Sequence, residues 1–320
     1  MDALIPLRPR RSEAMDGHAH VQPAAMAGGG HSHNRGTWGG HVLPGAMFCL
    51  WGGFWLLSIS TRAAVHPRGF AAKTYYPTTA GRLLEVHLRA LLPLLGCFVE
   101  LYAHPGDVRV RQPWDVHGRW DTHSAVNWHH AAMYAAFAFS GAVDWLTARW
   151  PLAAAHVPTG LSWAALTGAF LIEAVLFVFH LEMQSGLTAM LHVLLVCLVL
   201  CNAAAVAAAG LVPSSITASL LCAYFLLSQG VLFMWQARIL YGPRKWDLAD
   251  VGGNTMMLPV LFVGILLSCA AAVLGAFLAV AAWPRRLALL LDVRKQLAAD
   301  RADAGAEETS RLDLVSLRDA

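Results

Sequence analysis

The chain has 320 residues, 57% of them hydrophobic and only 13% charged, with a formal net charge of +3. Soluble domains carry about twice that charged fraction, and a mean hydropathy of +0.50 argues against a soluble core. No basic run with interleaved aromatics accompanies the small positive charge, which argues against nucleic acid and leaves the lipid bilayer as the expected partner.

Residues 1–39 are Gly-, Arg- and His-bearing without apolar periodicity and read as a disordered tail. They contain no apolar h-region of the kind a cleaved signal peptide needs. His18, His20, His31 and His33 fit a solvated tail better than a metal site. Seven apolar stretches follow, at about 41–60, 82–103, 125–148, 160–182, 187–209, 215–239 and 257–283. Each is close to the ~20 residues that a helix needs to cross a bilayer. The expected fold is therefore all-α, a polytopic membrane bundle of seven transmembrane helices over residues 40–283, with a second, soluble tail over 284–320. All six cysteines lie inside these spans and form no CxxC pair, so they read as small buried hydrophobes.

Span 1 begins GHVLPGAMF, and the 61–81 loop after it carries Arg62, Arg68 and Lys73 with no acid. In span 2, Glu85 and Arg89 stand at i,i+4, the spacing of a local ion pair, and Pro93 predicts a kink. Span 3 carries Asn127, His129, His130, Ser140 and Asp144. At about 100° per residue, His129 and Ser140 fall within about 20° of each other and Asp144 about 40° further round. That is one polar seam, and such groups in a span face a bundle interior or a wet cavity. In span 4, Glu173 and His180 share a face, and the short turn at 183–186 makes spans 4 and 5 a hairpin. Span 5 brings His192 into the membrane. Span 6 sets Gln229 and Gln236 on one face, whereas span 7 has almost no polar side chains and reads as lipid-facing.

Seven spans put the termini on opposite sides. Alternation then gathers His41, Glu100, His129, His130, His180, His192 and Gln236 at the side of the N-terminus, roughly 5–8 Å below the surface for the embedded members. His66, His87 and His156 belong to the other side. Three uses of this layer are open. The leading one is a structural or adaptor-like protein in which the layer fixes helix packing, each bond contributing about 0.6–2 kcal/mol. A second is a metal-dependent membrane hydrolase with zinc or iron on His130, His180 and His192 and with Asp144, Glu173 or Ser140 as catalytic candidates. No HExxH or HxxxH pair stands within a span, and His129 and His130 diverge by about 100°, which counts against both ligating one ion. The third is a proton-coupled or ion path with Glu173 as the gate carboxylate. Glu100, Asn127, His129, Tyr134, Gln229 and Gln236 complete the polar layer in every case. The acid-free 61–82 segment with Arg285 and Arg286 favours a cytoplasmic C-terminus and a luminal or extracellular N-terminus, in the endomembrane system or plasma membrane.

GHVLPGAMF (40–48), the Glu85–Arg89–Gly96–Glu100 spacing, NWHHAAMYAAFAFSGAVDWL (127–146), EAVLFVFHLE (173–182) and LLSQGVLFMWQ (226–236) followed by WD at 246–247 together resemble the transmembrane protein 45 family. The resemblance runs in order over residues 40–260 and implies a multi-pass, seven-helix protein of eukaryotic membranes without an assigned molecular activity. It places Asn127, His130, Tyr134, Ser140, Gly141 and Asp144 on the span-3 motif, Glu173 and His180 on that of span 4, and His192 and Gln229 on those of spans 5 and 6. Two departures stand out. The N-terminal extension is long, and after His180 the chain reads LEMQSG where the family pattern implies a further histidine and a proline-bearing turn.

Overall fold

The computed structural model describes residues 36–77, 84–102, 110–184 and 186–282. Nearly all of the expected N-terminal tail with its four histidines, His104, Arg82, and the C-terminal tail with Arg285 and Arg286 lie outside the described residues. The elements run α1 (Trp38–Val65), α2 (Leu84–Tyr102), α3 (Thr122–Arg149), α4 (Pro151–His156), α5 (Leu161–His180), α6 (Gly186–Leu211), α7 (Ile216–Tyr241) and α8 (Val251–Ala281). Among the described residues there is no strand, only an isolated antiparallel bridge between Trp114 and Trp120.

Helices α1, α7 and α8 start where a side chain satisfies one of their first amides. Thr37 accepts from the Gly40 N–H at 3.0 Å, Ser215 from Ala218 at 3.1 Å and Asp250 from Gly253 at 2.8 Å. The hairpin expected between spans 4 and 5 is present: α5 closes at His180, a single 3-10 turn covers Leu181–Met183, and α6 begins at Gly186. The short α4 has no counterpart among the seven expected spans. It opens with Pro151 at its first helical position, where the missing N–H would have had no intrahelical acceptor.

Five helices, α1, α5, α6, α7 and α8, are long and apolar enough to cross a membrane. The remaining two long helices do not meet that description, because α2 brings the three charges of Glu85, Arg89 and Glu100 into 19 residues and α3 carries His123, His129, His130 and Asp144. Their polarity is accommodated by packing. α2 lies along α3, which in turn lies on α5, so the polar faces turn inward. α8 is the opposite case: Met256, Val260, Val263, Leu267, Leu274 and Leu278 are all exposed along it, as its apolar sequence predicts for a lipid-facing helix.

The closest helix pairs are α1 with α7 and α2 with α3, and glycine sets both approaches. A Cβ on Gly230 would stand 2.7 Å from the Cys49 amide nitrogen, and one on Gly141 would run into the Arg89 carbonyl. Small residues at such crossings let backbones meet where no hydrophobic effect drives helices together. α1 and α2, by contrast, hardly touch backbone to backbone, and long side chains bridge the gap.

One segment outside the helices is structural. After α1 the chain alternates Phe70, Ala72, Thr74 and Tyr76 inward with Ala71 and Lys73 outward, the period of an extended chain. The 70–77 part of the 61–81 loop is thus tucked into the bundle, with the Ala72 N–H donating to the Pro213 carbonyl at 2.7 Å.

Candidate functional site

The polar side chains of the bundle fall into three groups, and the seam on α3 feeds two of them. At the C-terminal end of α3, Asp144 is fully buried. It accepts from Arg89 Nη1 at 2.7 Å and from Thr74 Oγ1 at 2.8 Å. Arg89 also donates to Ser140 Oγ at 3.2 Å and to the Thr74 carbonyl, and its guanidinium lies 4.8 Å from the centroid of the Trp51 ring. Glu85 faces the other way. It takes the indole N–H of Trp51 at 3.1 Å, that of Trp55 at 2.5 Å and the Tyr76 amide at 2.6 Å. The local Glu85–Arg89 pair expected from their spacing is corrected here: both side chains bond across to other elements, because three N–H donors and a buried carboxylate outcompete a solvent-type i,i+4 contact. Burial within this cluster pushes the Tyr76 phenol up. The outcome is a lock joining α1, α2, α3 and the tucked 70–77 segment.

About 21 Å along α3 from Asp144, at 1.5 Å per residue, His130 belongs to a different environment. A cavity of about 340 Å³ is bounded by His41 of α1, Glu100 of α2, Asn127, His130 and Tyr134 of α3, Glu173 and His180 of α5, and His192 of α6. The rings follow one another. His41 and His192 have centroids 6.4 Å apart, His192 and His180 5.3 Å, His180 and His130 5.7 Å, and His180 and His129 6.4 Å. His130 Nδ1 meets Glu100 Oε1 at 3.3 Å, and the second oxygen of Glu100 accepts from Asn127 at 2.6 Å. Arg111 donates to Asn127 Oδ1 at 3.2 Å.

The hydrogen bonds of three of these rings stay within their own helix or its end. His41 Nδ1 bonds the Thr37 carbonyl at 3.0 Å, His192 Nδ1 the Thr188 carbonyl at 2.7 Å, and His180 Nε2 meets Gln184 Nε2 at 3.0 Å. Gln184 stands in the LEMQSG stretch and occupies a ring nitrogen of His180. The metal candidates His130, His180 and His192 are therefore neighbours, but among the described residues no three His, Cys, Asp or Glu side chains are close enough together to hold a metal ion.

The third group sits below the chamber. Gln229 donates to Glu173 Oε1 at 2.9 Å and accepts from Asn202 at 2.6 Å, linking α5, α6 and α7. Gln236 donates to the Leu191 carbonyl at 3.1 Å. Glu173 Oε2 is buried without a hydrogen-bond partner among the described residues. The Arg111–Thr122 region above the chamber folds around Asp115, whose Oδ1 accepts from the amides of His117 and Arg119 at 2.8 and 3.0 Å. Those donors, the Arg119 amide first, hold its carboxyl below the usual range.

Of the catalytic candidates, Glu173 lines the chamber, whereas Ser140 and Asp144 belong to the lock, apart from the histidines. Thr74, Tyr76, Trp51 and Trp55 escape the sequence reading, although the alternation in 70–76 and two indoles one turn apart were readable signals. Asn202 escapes it too, a lone amide in the apolar run of span 5.

A family described as a family of unknown function (DUF716) matches residues 159–279 of the chain. That stretch contains α5 to α7 and all but the last two residues of α8, and with them Glu173, His180, His192, Gln229 and Gln236; it does not reach the α3 seam or the lock.

Proposed function

We propose that this chain is a seven-helix integral membrane protein of the transmembrane protein 45 type, and that its histidine chamber is a binding site rather than a packing device. The matched family name is shared by that group of proteins, and α2 lies along α3, which lies on the apolar α5, as spans 2 and 3 of a bundle would. Residues 40–283 form the transmembrane domain in this reading, flanked by the two tails. The bilayer is its partner and nucleic acid is not. The chamber faces the lumen or cell exterior with the N-terminus, and the C-terminus is cytoplasmic.

One observation carries the binding reading. A packing layer exists to bond helix to helix, yet His41, His180 and His192 bond their own helical segments and turn toward about 340 Å³ of space. Interhelical bonds are made by the lock, by Glu100 with Asn127 and His130, and by Gln229 with Glu173 and Asn202, and not by these three rings. A test follows directly from that contrast. The chamber variants His130→Ala and His180→Ala should keep abundance and unfolding temperature close to wild type in detergent, while small-molecule or ion binding is lost. Broad destabilisation by both would return the layer to a packing role.

A second reading has its own observation. The succession His41, His192, His180, His130, Glu100 is a chain of proton-exchanging groups spaced by 5.3–6.4 Å between ring centroids and ending in a 3.3 Å contact. Water-bridged, such a series relays protons. Proton uptake by reconstituted vesicles under a pH gradient, abolished by His180→Ala, would favour relay over binding. The hydrolase reading has no comparable support, since Asp144 and Ser140 are engaged by Arg89 and not by the histidines.

A further inference from the structure

Two cavities of similar size adjoin in this bundle. The first is the chamber. The second, about 350 Å³, is a groove between α1 and α2 lined by Met47, Leu50, Phe54, Leu84, Leu88 and Leu92. It exists because α1 and α2 do not close on each other, and Leu50, Leu88 and Leu92 are exposed along it, so it opens sideways toward the region of the acyl chains. Pro44, Phe48, Tyr134 and Phe137 line both cavities. An apolar compartment that opens laterally thus shares a thin, largely aromatic wall with a polar compartment.

Arg111, Tyr134 and Tyr241 line the polar compartment as donors, but the side around Glu173 and the imidazoles of His41 and His192 presents mainly acceptors. A carbonyl or carboxylate only accepts, so in the neutral rings of His41, His192 and His130 the proton resides on Nδ1, bound to Thr37 O, Thr188 O and Glu100 Oε1. Each Nε2 is then an acceptor, whereas His180, whose Nε2 accepts from Gln184, carries its proton on Nδ1. Glu173, 3% exposed, adds an oxygen with no partner among the described residues. The ring faces of Phe48, Phe177 and Phe233 stand nearby, mutually packed at centroid distances of 6.0–6.3 Å, and such faces attract cations. A head group that donates and carries positive charge fits. Beside Glu173 and these Nε2 atoms a phosphate or carboxylate would set acceptor against acceptor, and Arg111, the cation in the lining, stands at the Asn127–Glu100 end and donates to Asn127, which disfavours an ordinary phospholipid or fatty acid at the Glu173 side.

We propose that chamber and groove form one site for a single-chain amphiphile with an amine head, its ammonium at Glu173 and the imidazoles and its chain passing the Phe48–Phe137 wall to lie between α1 and α2. This deepens the binding reading of the chamber and rests on it.

The test uses the full chain in phosphatidylcholine nanodiscs and a hexadecylamine bearing a photoreactive diazirine in mid-chain. Saturable labelling of residues 47–54 and 84–93, the segments that line the groove, is expected. Unlabelled hexadecylamine should compete at least about tenfold better than hexadecanol, hexadecanoic acid or butylamine, a difference of one factor of ten in affinity. Glu173→Gln should erase the preference for the amine over hexadecanol, and Leu88→Trp, which fills the groove, should remove labelling while the unfolding temperature is kept. Equal competition by hexadecanol in the wild type, or non-saturable labelling, would overturn the proposal and leave a groove filled by bulk lipid. Equal competition by butylamine would also overturn it, while leaving the chamber a binding site for the head group alone.

Discussion

The two ends of α3 offer the same face of the same helix to the protein interior, and they are used in opposite ways. Around Asp144 every polar group is bonded to another element: Arg89 from α2, Thr74 and Tyr76 from the tucked segment, Trp51 and Trp55 from α1 meet in one network. Around His130 the rings follow one another at 5.3–6.4 Å between centroids, and most of their hydrogen bonds return to their own helix or its end. The contrast shows what a buried polar residue in a membrane helix is for. Where partners cross between helices, it fastens the bundle. Where partners are local and space is left over, it is held ready for something else.

The contrast can be broken most forcefully at the lock. Arg89→Ala or Asp144→Ala leaves the other charge buried and alone, and each should cost about 3–5 kcal/mol of stability. Denaturant unfolding in mixed micelles would measure the loss, and the double change Arg89→Met with Asp144→Leu should recover most of it. Next in size, Gly141→Ala pushes a methyl into the Arg89 carbonyl and should cost about 1–3 kcal/mol by overpacking, read as a lowered unfolding temperature. Glu85→Gln should fall in a similar range, about 1–3 kcal/mol, because the one remaining oxygen serves the two indoles and the Tyr76 amide loses its acceptor. In the chamber, His180→Ala removes no bond between helices and should cost less than about 1 kcal/mol. A loss as large as that at Asp144 would erase the distinction.

The smallest effect concerns the loop above the chamber. Asp115 has its carboxyl held below the usual range by the amides of Arg119 and His117. A depressed carboxyl contributes above its unfolded pKa, about 3.9, and that contribution disappears as pH falls through the lower folded value. Protection of the Arg119 amide against hydrogen exchange should therefore persist from neutrality to below about pH 4 and then drop. In Asp115→Asn it should be reduced at every pH.

Much of this was legible in the sequence, for reasons that differ by residue. Apolar runs of membrane length located the long helices to within a few residues at most of their ends, and the turn at 183–186 forced the hairpin of α5 and α6. Alternation of the spans predicted that His41, Glu100, His130, His180 and His192 share one side, and the chamber gathers them. Periodicity fixes the face of a residue but not its partners. Ser140 and Asp144 lie on the face of His129 and yet serve the lock, because depth along the helix decides which neighbour is met. The i,i+4 rule for Glu85 and Arg89 describes solvated helices, and it gave way to indole and amide donors that arrive from α1 and from residue 76. Nor could hydropathy reveal the 70–77 segment, whose burial depends on a contact with Pro213 that is distant in sequence.

The measurement that tests this account most directly is a pair of double-mutant cycles on the full chain, one on Arg89 and Asp144 and one on His130 and His180. A coupling of at least about 2 kcal/mol for the first pair and one near zero for the second is predicted, contacts within one network coupling by about 0.5–3 kcal/mol. Equal couplings, or a larger one between the histidines, would contradict the division into a lock and a chamber.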